Sequence, residues 1–319
     1  MMNKKLATLL AAPALCTSLA ATAANGEPNF FGTLNFGIQK IENQSDIDGE
    51  AFEASVGVSG SYKVDDFTLI YKLEAELAQA VNMDNGQNDI EIENALVVLP
   101  TQVGAFIVAP RVESGHQNDM YKMVDIFEVN AASNVTLWGQ PEAATSVFAY
   151  KTPTFANTYI VAAALTLNQA GTANNYNKNV VDALALRAIY QADSLYLGLG
   201  NVTVSDDQTG ASKDYNRASF TAGYQTEQMQ LGVMFESQMD HPSGSDTDVM
   251  GVAADFSFGN GLSAGVGYTD RNSDNNAWDD NMLAFIARKD IGENIQAWVE
   301  IAQYDEGNDN YSAGIKVDL

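Results

Sequence analysis

Cysteine is almost missing from this sequence: its 319 residues contain one, Cys16, and that one lies in the opening segment. Lys4 and Lys5, an apolar run over residues 6–21 and the small residues Ala21-Thr22-Ala23 predict a secretory signal over residues 1–23. Pro13 and Leu15 occupy the places where a lipid-attachment box around Cys16 needs an aliphatic and a small residue, so a lipoprotein is not expected. The chain from 24 to 319 then enters an oxidising compartment without a thiol, which excludes disulfide frameworks and cysteine-ligated metals. Histidine is nearly as scarce. His116 and His241 are the two present, and neither has a neighbour at metal-ligand or triad spacing. There is no phosphate-binding Gly-Lys-Ser/Thr loop, and Gly259-x-Gly261 leads into a strand pattern rather than a helix. No enzyme, no metal site and no cofactor is expected. Basic residues are few, 16 Lys and Arg against 41 Asp and Glu, so a nucleic-acid partner is excluded by repulsion from phosphate. Beyond the opening segment no run of ~18 apolar residues remains to make a transmembrane helix.

A repeating period of two fills the rest. Phe67, Leu69, Tyr71, Leu73, Ala75 and Leu77 form one apolar face, opposed by Thr68, Ile70, Lys72, Glu74 and Glu76. A strand this long with an apolar face and a charged face calls for hydrocarbon on one side and water on the other. Ala218, Phe220, Ala222 and Tyr224 repeat the pattern against Arg217, Ser219 and Thr221, and so do residues 229–236, 262–268 and 295–301. Short polar turns alternate with long loops rich in Asp, Asn and Gly, the asymmetry of an outer-membrane barrel. Tyr62, Tyr150, Tyr190, Tyr224 and Phe258 all fall close to short turns, which predicts an aromatic belt at one interface.

Counting hairpins gives sixteen strands, starting near Asn29, Glu53, Phe67, Ile90, Gly104, Thr145, Thr158, Val181, Ser194, Arg217, Met229, Asp248, Leu262, Asn281, Asn294 and Asn310. The predicted fold is all-β, a 16-stranded antiparallel transmembrane β-barrel in the outer membrane. Wall side chains cannot fill a lumen of that width. The longest segment without alternation, residues 113–144, holds Met120, Tyr121, Met123, Phe127, Leu137 and Trp138, so it is expected to pack against the inner wall as a constriction loop.

Phe31-Gly32-Thr33-Leu34-Asn35-Phe36-Gly37 resembles the first strand of the general porins of Gram-negative bacteria, the sixteen-stranded trimeric family. Gly104-Ala105-Phe106-Ile107-Val108-Ala109-Pro110-Arg111 is similar to its fifth strand, and Tyr150-Lys151-Thr152-Pro153-Thr154-Phe155 to the segment after its constriction loop. Tyr311, Ala313, Ile315, Val317 and Leu319 resemble its terminal strand, although the family usually closes on phenylalanine. The resemblance implies a homotrimer, a second loop (about 78–89) reaching a neighbouring subunit, and an acidic third loop facing basic residues. Carried over by position, Arg111 and then Lys72 are the basic candidates. Thr33, Ser55 and Ser59 stand where the family often has basic side chains, so the basic wall is thinned.

The predicted constriction therefore comprises Glu113, Asp119, Asp125 and Glu128 with Glu74 and Glu76 on the wall, offset in part by Arg111, Lys72, Lys122 and Arg187. Such a lining favours cations among the small hydrophilic solutes and ions that would diffuse through. Asp46, Asp48, Glu50, Asp84, Asp279, Asp280, Asp305 and Glu306 are expected on external loops. There they would face lipid and lipopolysaccharide, with Ca²⁺ or Mg²⁺ as bridges. Two other readings remain open: a substrate-selective channel, for example for oligosaccharide, and a non-channel surface barrel acting as an adhesin.

Overall fold

The computed structural model describes residues 28–82, 90–130, 143–166, 181–206, 213–241 and 244–319, except the side chains of Val64, Ala143 and Asn276. The predicted signal, Asp84 and most of the second loop, and Leu137 and Trp138 of the third loop lie outside the described residues.

The period of two resolves into sixteen strands: β1 (Asn29–Ile41), β2 (Asp48–Val64), β3 (Phe67–Glu76), β4 (Glu91–Thr101), β5 (Gly104–Glu113), β6 (Ala143–Lys151), β7 (Thr158–Leu165) and β8 (Ala183–Ala192), then β9 (Leu195–Val204), β10 (Tyr215–Gln225), β11 (Met229–Met239), β12 (Thr247–Gly259), β13 (Leu262–Ser273), β14 (Asp280–Asp290), β15 (Ile295–Tyr304) and β16 (Asn310–Asp318). Each pairs antiparallel with its sequence neighbours, and β1 pairs β16 from Thr33↔Asp318 to Ile41↔Asn310, closing the barrel. Closure follows from the solvent: hydrocarbon offers no partner to an unpaired strand edge. Two short helices, α1 (Ala78–Asn82) and α2 (Gly115–Met120), sit in the second and third long connections.

Connections on one rim are tight, with two residues at 65–66, 102–103, 193–194 and 260–261. Asp65, Asp193 and Asn260 there adopt φ of 52°, 44° and 54°, the left-handed region that short polar side chains tolerate. On the opposite rim the loops run as long as 114–142. The outward positions, among them Leu199, Phe220, Phe235, Val252 and Phe285, are exposed and apolar, as a lipid-facing surface requires. Tyr62, Tyr224 and Phe258 stand exposed near the tight rim, joined by Phe30, Phe67 and Phe155. Tyr150 and Tyr190 are half-buried, Tyr150 against Phe106.

Fifteen strand starts agree with the sequence reading to within two residues. The exception is β2, which begins at Asp48 rather than Glu53. A bulge opposite Asn35/Phe36 slips the register there, so the alternation of the first residues is out of phase with the rest. Further bulges at Glu74/Ala75 and Ala95/Val97 explain the poor alternation of β4.

Candidate functional site: the constriction

The third loop turns inward. Ser114 caps α2 by accepting from the Gln117 N–H, and after Met120 the chain tightens through Val124 N–H and Asp125 N–H bonds to the Tyr121 carbonyl. Met120, Tyr121, Met123, Val124 and Ile126 are buried against the wall. The third-loop residues that the sequence marked as wall-packing are therefore in place wherever they are described.

A chain of polar contacts follows the loop round the barrel, in strand order. Arg187 on β8 donates to Asp119 at 2.7 Å, and the Tyr196 hydroxyl on β9 donates to the Asp119 carbonyl at 2.9 Å. Tyr121 donates to Glu236 on β11 at 2.5 Å, while Arg217 on β10 reaches Glu236 at 2.9 Å and the Tyr121 oxygen at 2.8 Å. Arg288 on β14 donates to the Ile126 carbonyl and pairs with Asp255 at 3.0 Å. Glu300 on β15 accepts from the backbone N–H of Glu128 at 2.8 Å and of Asn130 at 2.7 Å. Lys316 on β16 lies 3.1 Å from Glu128, which also accepts from Asn35 on β1 at 3.1 Å. A charge removed from water on this scale is tolerated because it is paired and hydrogen-bonded at once.

His116, Ser219 and Glu236 come together here, a trio that sequence spacing did not reveal. The imidazole Nε2 lies 2.8 Å from Ser219 Oγ and 3.4 Å from Glu236, and Ser219 donates to Glu236 at 2.7 Å. Hydrolytic triads put serine and carboxylate on opposite ring nitrogens. In this trio both partners share Nε2, all three side chains are buried, and the arrangement holds the loop rather than activating the serine. Burial holds His116 below its ordinary value, so the ring is neutral.

Across the lumen, β3–β5 carry the other sequence candidates. Lys72 and Glu74 pair at 2.5 Å, with Lys72 also 5.2 Å over the Phe31 ring. Arg111 is bound to Glu91. Glu113 accepts from Asn94 at 2.8 Å and from Asn118 at 2.9 Å, and Asn94 bridges to Glu74 at 2.6 Å. Glu93 completes the group: carboxylate oxygens of Glu74, Glu93 and Glu113 lie within 4.8 Å of one another. Hard oxygen ligands of this sort suit a divalent cation, but Glu74 and Glu113 are already engaged by Lys72, Asn94 and Asn118.

The predicted residues thus fall into two sets. Glu113, Glu74, Lys72 and Arg111 gather on the β3–β5 wall, whereas Asp119 and Glu128 are drawn to cations on the far wall. Asp125 sits half-buried at the loop's turn between them. Sequence reasoning missed Glu91, Glu93, Glu236, Arg288, Glu300 and Lys316. All but the first two stand in the inward phase of cleanly alternating strands and were findable by extending that phase. Glu91 and Glu93 sit beside the β4 bulge, where the phase breaks. Thr33 on β1 and Ser55 and Ser59 on β2 put no cation at the three positions where the family resemblance implied basic side chains; the lysines of these strands, Lys40 and Lys63, stand elsewhere along them.

The chain matches, over residues 7–309, the family described as Gram-negative porin. No curated protein sequence matches it. Among solved structures, an anion-selective porin from Comamonas acidovorans superposes with a TM-score of 0.75 at 12% identity, covering 92% of this chain and 99% of that one. OmpF of Salmonella typhi, in complex with daunomycin, gives 0.73 at 14% identity, covering 92% and 98%. The in-vitro folded, trimeric form of OmpT, an outer membrane protein of Vibrio cholerae, gives 0.66 at 14%, covering 93% and 100%. At these identities the likeness is one of fold.

Proposed function

The chain belongs to the Gram-negative porin family and forms a channel in the outer membrane, and we propose that small hydrophilic solutes and ions cross it by passive diffusion, cations in preference to anions. One observation carries the ion preference. Lys72, Arg111, Arg187, Arg217, Arg288 and Lys316 each meet a carboxylate within 4.0 Å, while Glu74, Glu93 and Glu113 cluster on one wall and, among the described residues, only Glu74 of the three pairs with a cation, Lys72. The unbalanced charge in the narrowest section is negative, and a low-dielectric wall focuses its field on passing ions. The same fold accommodates an anion-selective porin, so the sign of selectivity belongs to the lining and not to the barrel. Transport of this kind needs no covalent step, cofactor or metal.

Purified protein in a planar bilayer with a potassium chloride gradient tests both parts. Stable conductance steps are expected, with a reversal potential displaced towards cations and reduced by Glu113→Gln. Silent membranes would sink the channel reading; a reversal potential on the anion side would sink the preference. An oligosaccharide path would present aromatic faces to the lumen. Trp298 instead packs edge-on against Phe52 and donates to Asn35, which disfavours that alternative. An adhesin would project its third loop outward.

The assembly proposed is a homotrimer. α1 is anchored for such a role, because the Asn82 amide both accepts from the Ala51 N–H and donates to its carbonyl. Asp279, Asp280, Asp305 and Glu306 share one recess on the long-loop rim, where bridging Ca²⁺ or Mg²⁺ would link them to lipopolysaccharide phosphates. Sedimentation in detergent tests the first of these proposals, and release of bound lipopolysaccharide by a chelator the second.

A further inference from the structure

Glycine inside a strand forfeits packing and weakens the strand, so an inward glycine calls for a reason, most often the close approach of another backbone. Among the described residues, Gly251 on β12 faces inward behind the third loop, and six other inward glycines lie closer under it: Gly198 and Gly200 on β9, Gly223 on β10, Gly232 on β11, and Gly265 and Gly267 on β13. Their neighbours follow the loop's own order. A Cβ on Gly200 would come 2.7 Å from the His116 ring, and one on Gly198 would meet Thr221 of the wall at 2.7 Å and Met120 Cε of the loop at 2.9 Å. Gly223 and Gly232, partners across β10 and β11, both lie under Met123. A Cβ on Gly265 would be 2.7 Å from Ile126, and one on Gly267 2.7 Å from the Phe127 ring.

We infer that this row of glycines is a specificity-determining track that sets how far the loop lies back against the wall, and so sets the size limit for solutes. The loop rests where side chains would otherwise stand. Restoring even a methyl group lifts it into the lumen.

The obstruction differs in kind along the track. At Gly232 a Cβ would overlap the Met123 carbonyl oxygen and lie 2.5 Å from its carbon, so backbone must retreat by about 1.5 Å to reach ordinary contact. At Gly223 the obstruction is the Met123 side chain, which is flexible and able to swing aside in part. Gly251 on β12 supplies a contrast, since its Cβ would first meet Met234 of the wall itself, at 3.0 Å.

The inference rests on the reading of the protein as a diffusion pore, and wild-type conductance tests that reading separately. Wild type, Gly232→Ala, Gly223→Ala, the double variant Gly223→Ala/Met123→Ala and Gly251→Ala would be compared in planar bilayers, for single-channel conductance and for blocking by graded polyethylene glycols. Heat-dependent gel mobility checks that each barrel has closed. Gly232→Ala should lower conductance on the order of tens of per cent and admit only smaller polymers. Gly223→Ala should show a smaller loss, returned by Met123→Ala, and Gly251→Ala should match wild type. Folded Gly232→Ala and Gly223→Ala pores with wild-type or larger conductance would overturn the inference. Should Gly232→Ala fail to assemble, Gly223→Ala and its suppressor decide the matter alone.

Discussion

The two sides of the constriction use the same residue types for opposite ends. On the loop side, Asp119, Glu128 and Glu236 each face an arginine or lysine of the wall, and Glu300 is filled by backbone N–H groups. On the β3–β5 side, Glu74, Glu93 and Glu113 crowd one another around Lys72. The first arrangement cancels charge and turns carboxylates into fasteners. The second leaves charge over, which suits a carboxylate that acts on ions in transit. Whether an acid is structural or functional depends here on its partner, not on its sequence neighbourhood.

That contrast is breakable. Arg217→Met should have the largest effect, because it strands Glu236, Ser219 and Tyr121 around a buried charge. A loss of about 3–5 kcal/mol is expected in unfolding from detergent micelles. A tolerated Arg217→Met would mean the fasteners are not fasteners. The neutral exchange Asp119→Asn with Arg187→Gln should cost less, on the order of 1–2 kcal/mol. It should leave the reversal potential where it was. Lys72→Gln should behave in the reverse manner, raising the cation-to-anion permeability ratio on the order of twofold. Equal shifts from the exchange and from Lys72→Gln would erase the distinction between the sides. Tyr121→Phe removes one hydroxyl from the fastened side and should cost about 1 kcal/mol with conductance intact.

The smallest effect concerns pH. His116 titrates below its ordinary value of 6.5 because burial disfavours the imidazolium. Below that pH the unfolded chain binds the extra proton first, so this residue's share of stability is complete above 6.5 and declines as the medium acidifies. Replacing His116 by Asn should flatten the acid side of a stability-against-pH curve. An unchanged slope would place the sensitivity in the carboxylates instead.

Much of the site was legible in advance, for reasons that differ by residue. Glu74 and Lys72 lie on a strand whose faces alternate without interruption, so the direction of each side chain follows from counting. Met120, Tyr121 and Met123 were marked as wall-packing because apolar residues in an otherwise polar loop need a surface to cover. The pairing of Asp119 with Arg187 and of Glu128 with Lys316 spans 68 and 188 residues, and no local pattern encodes such a separation. Glu93 was hidden by the bulge that breaks the phase of β4. The glycine track was invisible for a different reason: a strand glycine reads the same whether it faces a bulge, a turn or another backbone.

Alternation by itself determined the strands, their inward and outward faces and the barrel, and its interruption marked the third loop, because a β-strand turns each successive side chain to the opposite face whatever surrounds it. Only the tertiary structure decided which charges cancel. Closing the barrel brings β8 through β16 round behind the loop and leaves β3–β5 across the lumen, and Coulomb interactions depend on that separation in space and on burial, neither of which is written along the chain.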